Sequence, residues 1–393
     1  MITSPAGFRA AAVAAGIKTD RDDLALIVAD RACAAAAVFT QNRACAAPVE
    51  VSREHLRSGR ARAVVVNAGC ANAATGEAGL ADARAMAACT ARAVGCAPEE
   101  VVVASTGVIG VRLPLEKVED GIARAARALS AEAGDRAACA ILTTDTRPKT
   151  VDLEIPVGTR TMRLSGMAKG AGMIAPNMAT LLAFFTTDAV VAPALLRRAL
   201  REAVGEGLNR ITVDGDTSTN DMAVILASGA GTAPAIEAEG ACFDAFRRAL
   251  TEASRRLAEM IVRDGEGATR MAEIRVEGAG SAAEADRIAR TVAESLLVKT
   301  ALHGADPNWG RILAAAGRSG VALDVSRLDI FIGDVWVTES GAARAYDEAM
   351  AAAAMREDPV RFLLRLNAGT ATGWIWTCDL THGYVDVNAH YRS

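Results

Sequence analysis

Short strand-like runs alternate with alanine-rich segments of helical period through most of this chain. The runs DLALIVAD, AAAAVFT, ARAVVVNAG and EEVVVASTG are rich in small or β-branched apolar residues. Residues 78–94 and 115–130 instead space their apolar positions as an amphipathic helix does. Because strands that alternate with helices bury their apolar faces in layers, the pattern predicts a layered α/β fold.

The second half of the chain continues this pattern. The run LLAFFTTDAVV predicts a strand, and helices are predicted from about Pro193 to Glu206 and from about Asp244 to Arg263. The tail is predicted to be rich in strands, because LDIFIGDVWVT and YVDVNAHY alternate apolar with polar residues. There is no low-complexity linker and no repeat of 20 to 50 residues. Any boundary is therefore compact, and the glycine-rich stretch after Lys169 is the best candidate.

Charge and composition exclude several classes of function. The chain has 393 residues, which is enough for two or three cores, with a formal net charge of −4 and only 4% aromatic residues. Without a basic face it is a poor candidate for a nucleic-acid-binding protein. The first residues lack a basic segment ahead of an apolar core, and no run is long enough to span a membrane. We therefore expect a cytoplasmic protein that binds neither membrane nor nucleic acid.

The cysteines and histidines form no metal or redox motif. Eight cysteines fall at irregular spacings, without a C-x-x-C pair and without neighbouring histidines. We expect buried thiols, no metal and no cofactor. A G-x-S-x-G elbow and a G-x-x-x-x-G-K-[ST] phosphate loop are also missing from the sequence.

Two weaker motifs are explained without a ligand. GAGMIA matches G-x-G-x-x-A, but Pro176 follows at once and prevents the helix that a dinucleotide site needs. VDGDTSTND alternates polar side chains, yet Thr219 and Ile225 occupy the positions where an EF-hand requires Gly and Glu. A tight polar turn explains the second segment at least as well as a metal loop.

Thr180, in the stretch KGAGMIAPNMATLLAFFTTDA, is the residue with the most unusual setting. A hydroxyl in a chain interior has no base beside it, whereas an N-terminal Thr has its own α-amine, with a pKa of about 8, as base. The hydroxyl could make that terminus itself by attacking the carbonyl of Ala179, after which water hydrolyses the ester. The alternative is that Thr180 begins a strand, where Thr is common, and the residues alone favour this alternative.

The same stretch resembles the signature K-G-[SA]-G-M-I-x-P-N-M-A-T-M-L of the ornithine acetyltransferases, also called glutamate N-acetyltransferases. The blocks GFRAAAVAAGIK, NAGCANAATG, ASTGVIG, TTDTRPK, TVDGDTSTNDM, GADPNWGRI and VNAHYRS resemble further blocks of that family, in the family's order. The resemblance covers essentially the whole chain.

This resemblance implies a precursor that cuts itself between Ala179 and Thr180. The products would be an α chain, residues 1–179, and a β chain, residues 180–393, which remain one interwoven unit and assemble as an α2β2 heterotetramer. The implied fold is a layered αββα sandwich, shared with self-cleaving aminopeptidases. Thr180 would carry the acetyl group from N-acetylornithine to glutamate in a ping-pong cycle without a cofactor.

The resemblance also assigns individual residues. The oxyanion hole falls on Thr106 and Gly107. The substrate-binding positions fall on Thr146, Lys169, Thr180, Glu266, Asn388 and Ser393. This chain departs from the family pattern at positions other than the nucleophile, namely Cys70, Ala175, Leu182 and Ser393.

Three questions stay open at this stage. An aminopeptidase or amidase would release the acyl group of Thr180 to water rather than to glutamate. A binding protein on the same scaffold would leave the chain uncut. No motif in the sequence decides whether acetyl-CoA is a second acetyl donor.

Overall fold

The computed structural model describes residues 1–175 and 181–390. The strands in these ranges are β1 (Phe8–Val13), β2 (Leu24–Phe39), β3 (Arg60–Cys70), β4 (Val101–Val108), β5 (Lys149–Val157), β6 (Arg160–Lys169), β7 (Leu182–Thr187), β8 (Ile211–Thr212), β9 (Met222–Ala227), β10 (Met271–Ala279), β11 (Asp329–Ile332), β12 (Val335–Glu339), β13 (Ala342–Ala343), β14 (Val360–Arg365) and β15 (Ala371–Cys378). The helices are α1 (Ala47–His55), α2 (Gly76–Val94), α3 (Leu115–Arg127), α4 (Gly134–Ala140), α5 (Pro193–Glu206), α6 (Ala241–Arg263), α7 (Ala282–Ala293), α8 (Leu296–His303), α9 (Trp309–Gly317), α10 (Glu348–Ala354) and α11 (His382–His390).

The chain forms two compact units, each with its own sheet. Unit 1 consists of Met1–Asn209 and Asp216–Ile261, and unit 2 of 210–215 and 262–390, as far as the described residues extend. The sheet of unit 1 has the strand order β4-β3-β2-β9-β7-β6-β5, and β1 also pairs with β2. The pairs β3–β4 and β7–β9 are parallel and the other pairs are antiparallel, so the sheet is mixed.

Both faces of the unit 1 sheet are buried, which explains its continuous apolar runs. On β2, Ile27 contributes to one apolar cluster, while Leu26 contributes to the cluster on the other face. Met86 of α2 and Ile122 of α3 pack into the second cluster, and Ala137 of α4 packs into the first. Full burial of a side chain such as Ile27 stabilises the fold by about 1.5–3 kcal/mol.

Unit 2 contains a second mixed sheet. Its strand order is β13-β12-β11-β14-β10-β15-β8, with β10–β14 and β15–β8 parallel. Ile288 of α7, Leu302 of α8 and Ile312 of α9 pack on Ile274 and neighbouring apolar residues of this sheet. Both units are therefore sheets covered by helices, and the predicted α/β class is confirmed.

Most predicted elements agree with the structure, within a few residues at their ends. The helix predicted from Pro193 to Glu206 has those bounds, and the one predicted from Asp244 begins at Ala241. The runs DLALIVAD and AAAAVFT belong to one long strand, β2, which carries an irregularity in its pairing with β3 between Val28 and Cys33.

The strand predicted from YVDVNAHY is wrong, because His382–His390 forms the helix α11. The preceding strand β15 already pairs with β10 on one edge and β8 on the other. Both edges of β15 are therefore occupied, and the residues that follow it cannot pair with β15. A short alternating pattern is a weak preference that such a context overrides, and a helix satisfies the backbone groups locally.

The cysteine prediction is right in part. All eight cysteines are free thiols, and Cys33, Cys70 and Cys378 are buried, but Cys139 is exposed. On α4, Ala137, Ala138 and Ala140 face the core, so Cys139 occupies the outward side of the helix. No helix within the described ranges is long and apolar enough to cross a membrane.

The predicted cut after Ala179 does not coincide with a boundary between the units. Strands β6 and β7 precede and follow it, and they pair as antiparallel neighbours, with Lys169 opposite Leu182. The residues 176–180 lie outside the described ranges. The glycine-rich stretch is therefore not the compact boundary that the sequence suggested; the chain passes between units at Asn209, Asp216 and Ile261.

Candidate active site

The ends of β3 and β4 approach each other closely at two glycines. Gly69 has φ +110° and Gly107 has φ +129°, a region that disfavours side chains. A Cβ atom on Gly107 would lie 2.3 Å from the carbonyl carbon of Gly69. A Cβ atom on Gly69 would lie 2.9 Å from side-chain atoms of Ile17 and Lys18. Glycine is therefore required at both positions, and it holds the backbone beside Thr106 in a defined conformation.

Thr106 of β4 and Lys169 of β6 are in contact through their side chains, although β3, β2, β9 and β7 lie between these two strands in the sheet order. Lys169 ends β6 and is only 8% exposed. Its Nζ donates to Oγ1 of Thr106 at 3.3 Å. Because Oγ1 accepts this bond, the hydroxyl proton of Thr106 can be donated elsewhere. A hydroxyl donor and a cation thus lie side by side, next to the backbone of Gly107.

Asp145 fixes the loop that carries Thr146. Its carboxylate accepts from Lys149 Nζ at 2.7 Å, from the backbone N–H of Gly170 at 2.6 Å and from that of Thr143 at 3.1 Å. The loop is therefore tied to the start of β5 and to the residue after β6. Thr146 itself is exposed on this anchored loop.

The charges around Lys169 shift two pKa values. Burial alone would raise the pKa of the Asp145 carboxyl, but the charges of Lys169 and Lys149 outweigh it and lower that pKa to about 2. Burial and the charges of Arg21 and Lys169 lower the pKa of Lys18 to about 8. Lys18 Nζ donates to the carbonyl oxygen of Leu142 at 2.8 Å, just ahead of the Asp145 loop.

Asn220 joins the ends of β3 and β4 to the segment before β9. Its Nδ2 donates to the carbonyl oxygens of Ala71 at 2.6 Å and of Ser105 at 2.9 Å. Asn220 is buried, with 5% exposure. The polar segment that the sequence suggested as a turn therefore holds the residue directly before Thr106.

Glu266 and Asn388 are paired within unit 2. Nδ2 of Asn388 donates to Oε2 of Glu266 at 2.7 Å. Glu266 is 9% exposed and follows α6, whereas Asn388 lies on α11 and is exposed. The side chains of two predicted substrate-binding residues thus contact each other directly.

Asp379 and Gly267 hold this pair in position. The Asp379 carboxylate accepts from the backbone N–H groups of Thr269 at 2.8 Å and Arg270 at 3.0 Å, and from Nδ1 of His303 at 3.0 Å. Gly267 packs under the start of α11, since a Cβ atom there would lie 2.3 Å from the backbone nitrogen of Tyr384. The loop carrying Glu266 and the helix carrying Asn388 therefore share anchors.

The structure thus places most of the predicted residues in two groups. Thr106, Gly107, Lys169 and the Thr146 loop belong to unit 1, and Glu266 with Asn388 to unit 2. The predicted cleavage residues Ala179 and Thr180, and the terminal Ser393, lie outside the described ranges.

Sequence reasoning missed the buried residues that position these groups. Asp145 lies in the block TTDTRPK and Asn220 in TVDGDTSTNDM, so both belong to blocks that resemble the family. The spacing of Asp145 and Lys149, four residues apart with opposite charge, was a usable signal. For Asp379 no comparable signal exists, because its partners lie 109 and 76 residues away in the chain.

The structure also bears on the metal and dinucleotide motifs considered in the sequence analysis. Within 1–175 and 181–390, no group of three or more His, Cys, Asp and Glu side chains could hold a metal ion. Residues 170–175 contain no helix, and the strand β7 begins at Leu182. Within residues 170–175 and from 181 onward, the glycine-rich segment is therefore not followed directly by the helix that a dinucleotide site needs.

The comparisons with known proteins point to the same family, although they cover different shares of this chain. The ArgJ family matches residues 9–393. The arginine biosynthesis bifunctional protein ArgJ of Symbiobacterium thermophilum is 49% identical over 395 aligned residues, covering 100% of this chain and 98% of its own length. The protein of that name from Methylococcus capsulatus is 49% identical over 391 aligned residues, which cover 99% of this chain and 96% of that protein. A crystal structure of the argJ protein from Bacillus halodurans matches with a TM-score of 0.51 at 44% identity, covering 53% of this chain and 98% of that one.

Proposed function

Because this chain belongs to the ArgJ family, we propose that it transfers the acetyl group of N-acetylornithine to glutamate, giving ornithine and N-acetylglutamate. The relatives' names place those proteins in arginine biosynthesis. Within this chain, the observation that carries the proposal is the contact of Lys169 with Thr106 beside Gly107. A hydroxyl donor can stabilise the oxyanion of an acetyl transfer, and a cation can bind the carboxylate of an amino-acid substrate.

The proposed reaction has two halves that use the same groups. In the first half, Oγ of Thr180 attacks the acetyl carbonyl of N-acetylornithine while the α-amine of Thr180 takes the hydroxyl proton. The tetrahedral oxyanion accepts hydrogen bonds from the Thr106 hydroxyl and the Gly107 N–H, each of which can lower the barrier by about 3–4 kcal/mol. The amine of ornithine leaves with the proton, and acetyl-Thr180 remains.

In the second half, glutamate replaces ornithine and its amine attacks the carbonyl of acetyl-Thr180. The bond from that carbonyl carbon to Oγ breaks, and the proton lost by the glutamate amine passes through the α-amine of Thr180 to Oγ. The same donors stabilise the second oxyanion, so one set of groups serves both directions of transfer. Lys169 supplies a positive charge for a carboxylate that donor and acceptor share. Thr146, Glu266, Asn388 and Ser393 are proposed as further substrate contacts.

The active enzyme is proposed to arise by a cut between Ala179 and Thr180. Before the cut, the Thr180 hydroxyl attacks the carbonyl of Ala179; after it, the new α-amine serves as base. The resulting α chain, residues 1–179, and β chain, residues 180–393, are proposed to form an α2β2 heterotetramer. Light scattering coupled to size exclusion tests this assembly, and a mass of one α and one β chain would contradict it.

Transfer is tested by incubating the purified protein with N-acetylornithine and glutamate and quantifying both products. Equal amounts of ornithine and N-acetylglutamate are the expected result. Acetate in place of N-acetylglutamate, with glutamate present, would overturn transfer in favour of an amidase. A single intact chain on a denaturing gel, together with no turnover, would favour a binding protein.

A second donor, acetyl-CoA, is proposed because the relatives are named bifunctional. With acetyl-CoA and glutamate as substrates, the expected products are CoA and N-acetylglutamate. Absence of CoA release at donor concentrations that saturate the first reaction would remove this part of the proposal and leave the first intact.

A further inference from the structure

Lys18 is a half-buried cation to which the proposed transfer assigns no role. Its Nζ donates to the carbonyl oxygens of Leu142 at 2.8 Å and of Ala140 at 3.4 Å. Within residues 1–175 and 181–390, this ammonium forms no ion pair with a carboxylate. Two of its three N–H groups are therefore occupied, and one remains. Since a charge taken partly out of water is normally paired, this cation needs an explanation.

The backbone that carries Lys18 is held by the buried carboxylate of Asp23, which is 0% exposed. The two carboxylate oxygens accept from four successive N–H groups, those of Ala15 at 2.6 Å, Gly16 at 3.1 Å, Ile17 at 2.6 Å and Lys18 at 2.8 Å. Asp23 is thus engaged by the backbone and not by the ammonium. The Lys18 side chain starts from a turn that is fixed at four points, as a residue that binds a ligand requires.

The Lys18 side chain lies against the glycines at the ends of β3 and β4. A Cβ atom on Gly69 would lie 2.9 Å from Cγ of Lys18. Gly69 in turn is paired with Gly107 across the two strands. The ammonium contacts the carbonyl of Leu142, four residues before Thr146. Lys18 therefore extends from the proposed oxyanion donors to the loop that carries a proposed substrate contact.

The charges of Lys18 and Lys169 act on each other. Burial and the charges of Arg21 and Lys169 lower the pKa of Lys18 to about 8. The charges of Asp23 and Asp145 act in the opposite direction without cancelling this effect. An anion bound beside two such cations relieves their repulsion. A ligand with two carboxylates therefore fits this region better than a ligand with one.

The two amino acids of the proposed transfer differ at the ends of their side chains. Both carry an α-carboxylate, to which the proposed function assigns Lys169. Glutamate adds a γ-carboxylate, whereas N-acetylornithine adds an ammonium. One cation is enough for the group that they share, and a second cation serves glutamate alone.

We propose, resting on the transfer function above, that Lys18 binds the γ-carboxylate of glutamate and so selects the acceptor. Its remaining N–H donates to that carboxylate, while the carbonyl oxygens of Leu142 and Ala140 hold the other two. The ammonium of N-acetylornithine gains nothing from Lys18 and is directed elsewhere. Lys18 forms and breaks no covalent bond, so its role is one of specificity.

The test is the acceptor preference of Lys18→Met, measured as kcat/KM for glutamate and for glutamine. Glutamine has nearly the shape of glutamate without the γ-charge, so the wild type should prefer glutamate. Loss of a hydrogen bond between charged groups should lower kcat/KM for glutamate about 10- to 100-fold, mainly through KM. The values for glutamine and for N-acetylornithine should stay within about threefold of wild type, because neither uses the ammonium.

Lys117→Met is the matched control. Lys117 is exposed, and its Nζ donates to the carbonyl oxygen of Gly16 at 2.9 Å, in the same turn. This variant also loses a lysine from that turn and should keep all three kcat/KM values. An unchanged preference for glutamate in Lys18→Met would overturn the proposal. An equal fall for glutamate, glutamine and N-acetylornithine would also overturn it, because structural damage does not distinguish substrates.

A second measurement covers the case in which Lys18→Met does not fold, as judged by circular dichroism. In the wild type, Lys18 loses its charge as pH rises through its pKa of about 8. The ratio of kcat/KM for glutamate to that for glutamine should therefore fall above this pH, and the ratio removes the titration of groups that both acceptors use. A constant ratio between about pH 7 and 9.5 would overturn the proposal.

Failure of the proposed function gives a different result. If the wild-type protein forms no N-acetylglutamate from N-acetylornithine and glutamate, the transfer function itself fails, and the role of Lys18 fails with it. If the wild type forms that product and Lys18→Met keeps the wild-type acceptor preference, only the role of Lys18 fails.

Discussion

Replacing Asp145 by Asn should destabilise the protein strongly. The Asp145 carboxylate and the Lys149 ammonium lie 2.7 Å apart, and both side chains are 0% exposed. Asn keeps the shape but removes the negative charge that Lys149 faces, and it weakens the acceptor for the Gly170 N–H at 2.6 Å. Breaking a buried ion pair from one side costs about 3–5 kcal/mol, because the other charge stays buried. This is a large share of the roughly 5–15 kcal/mol that stabilises a typical domain.

Equilibrium unfolding in urea, followed by circular dichroism, measures this loss. A cycle with Lys149→Met and the double variant separates the charge from the packing. If the buried charge is the cause, the double variant should be more stable than Asp145→Asn alone by about 2 kcal/mol or more. A loss below about 1 kcal/mol for Asp145→Asn would be the behaviour of an exposed pair and would refute the reasoning. The reasoning would also be refuted if the double variant had no higher free energy of unfolding than Asp145→Asn alone.

The remaining predictions concern the ends of the strands and the Asp379 network. Thr106→Val should lower kcat for acetyl transfer about 10²–10³-fold with little change in KM, because the hydroxyl donor is lost. Thr106→Ser retains a hydroxyl and should keep most of the wild-type kcat. An unchanged kcat in the Val variant would contradict an oxyanion role. Gly107→Ala should lower the free energy of unfolding by about 1–3 kcal/mol or more through overlap with Gly69. The matched control is Gly205→Ala on α5, where a new Cβ atom would meet nothing within 4 Å apart from its own stretch of helix; this change should be neutral or stabilising. Burial alone would raise the pKa of Asp379, but hydrogen bonds from Thr269, Arg270 and His303 lower it overall. The stabilisation that the ionised Asp379 carboxylate provides should therefore be complete above the pKa of the unfolded chain, about 4, and be lost as the pH falls through the lower pKa of the folded protein. Measured as the difference in unfolding free energy between wild type and Asp379→Asn, this stabilisation should shrink toward acid pH. A difference that grows toward acid pH would contradict the prediction.

The elements of this fold could be predicted where a single preference dominates. The run LALIVAD predicted a strand because almost all of its residues are apolar. The structure explains that composition, since both faces of this strand are buried against apolar clusters. The helix Pro193–Glu206 begins at a proline and keeps one apolar stripe, which fixed both its type and its ends. In residues 384–390 the alternating valines suggested a strand, but both edges of the preceding strand β15 are already paired, and the segment forms α11.

The candidate site was predictable only in part, because the residues that position it are far apart in the chain. Thr106, Gly107, Lys169 and Glu266 were assigned through the family resemblance, and these assignments stay predictions. The family itself was predicted correctly. The contacts that position them join distant parts of the chain, such as Asn220 to Ser105 across 115 residues. Such contacts depend on sheet order, and neither periodicity nor spacing encodes which strands become neighbours.

The place of β7 and β9 in the unit 1 sheet has a consequence for how the protein can be made. Both strands follow Thr180 in the chain, yet they lie between β2 and β6, which precede it. A cut after Ala179 would turn one chain that closes its own sheet into two chains whose strands alternate across it. The uncut precursor can refold by a unimolecular reaction at any dilution, whereas the cut protein, once unfolded, must first bring two molecules together. Recovery from denaturation should therefore depend on protein concentration only after the cut, which makes folding before cleavage the productive order of events.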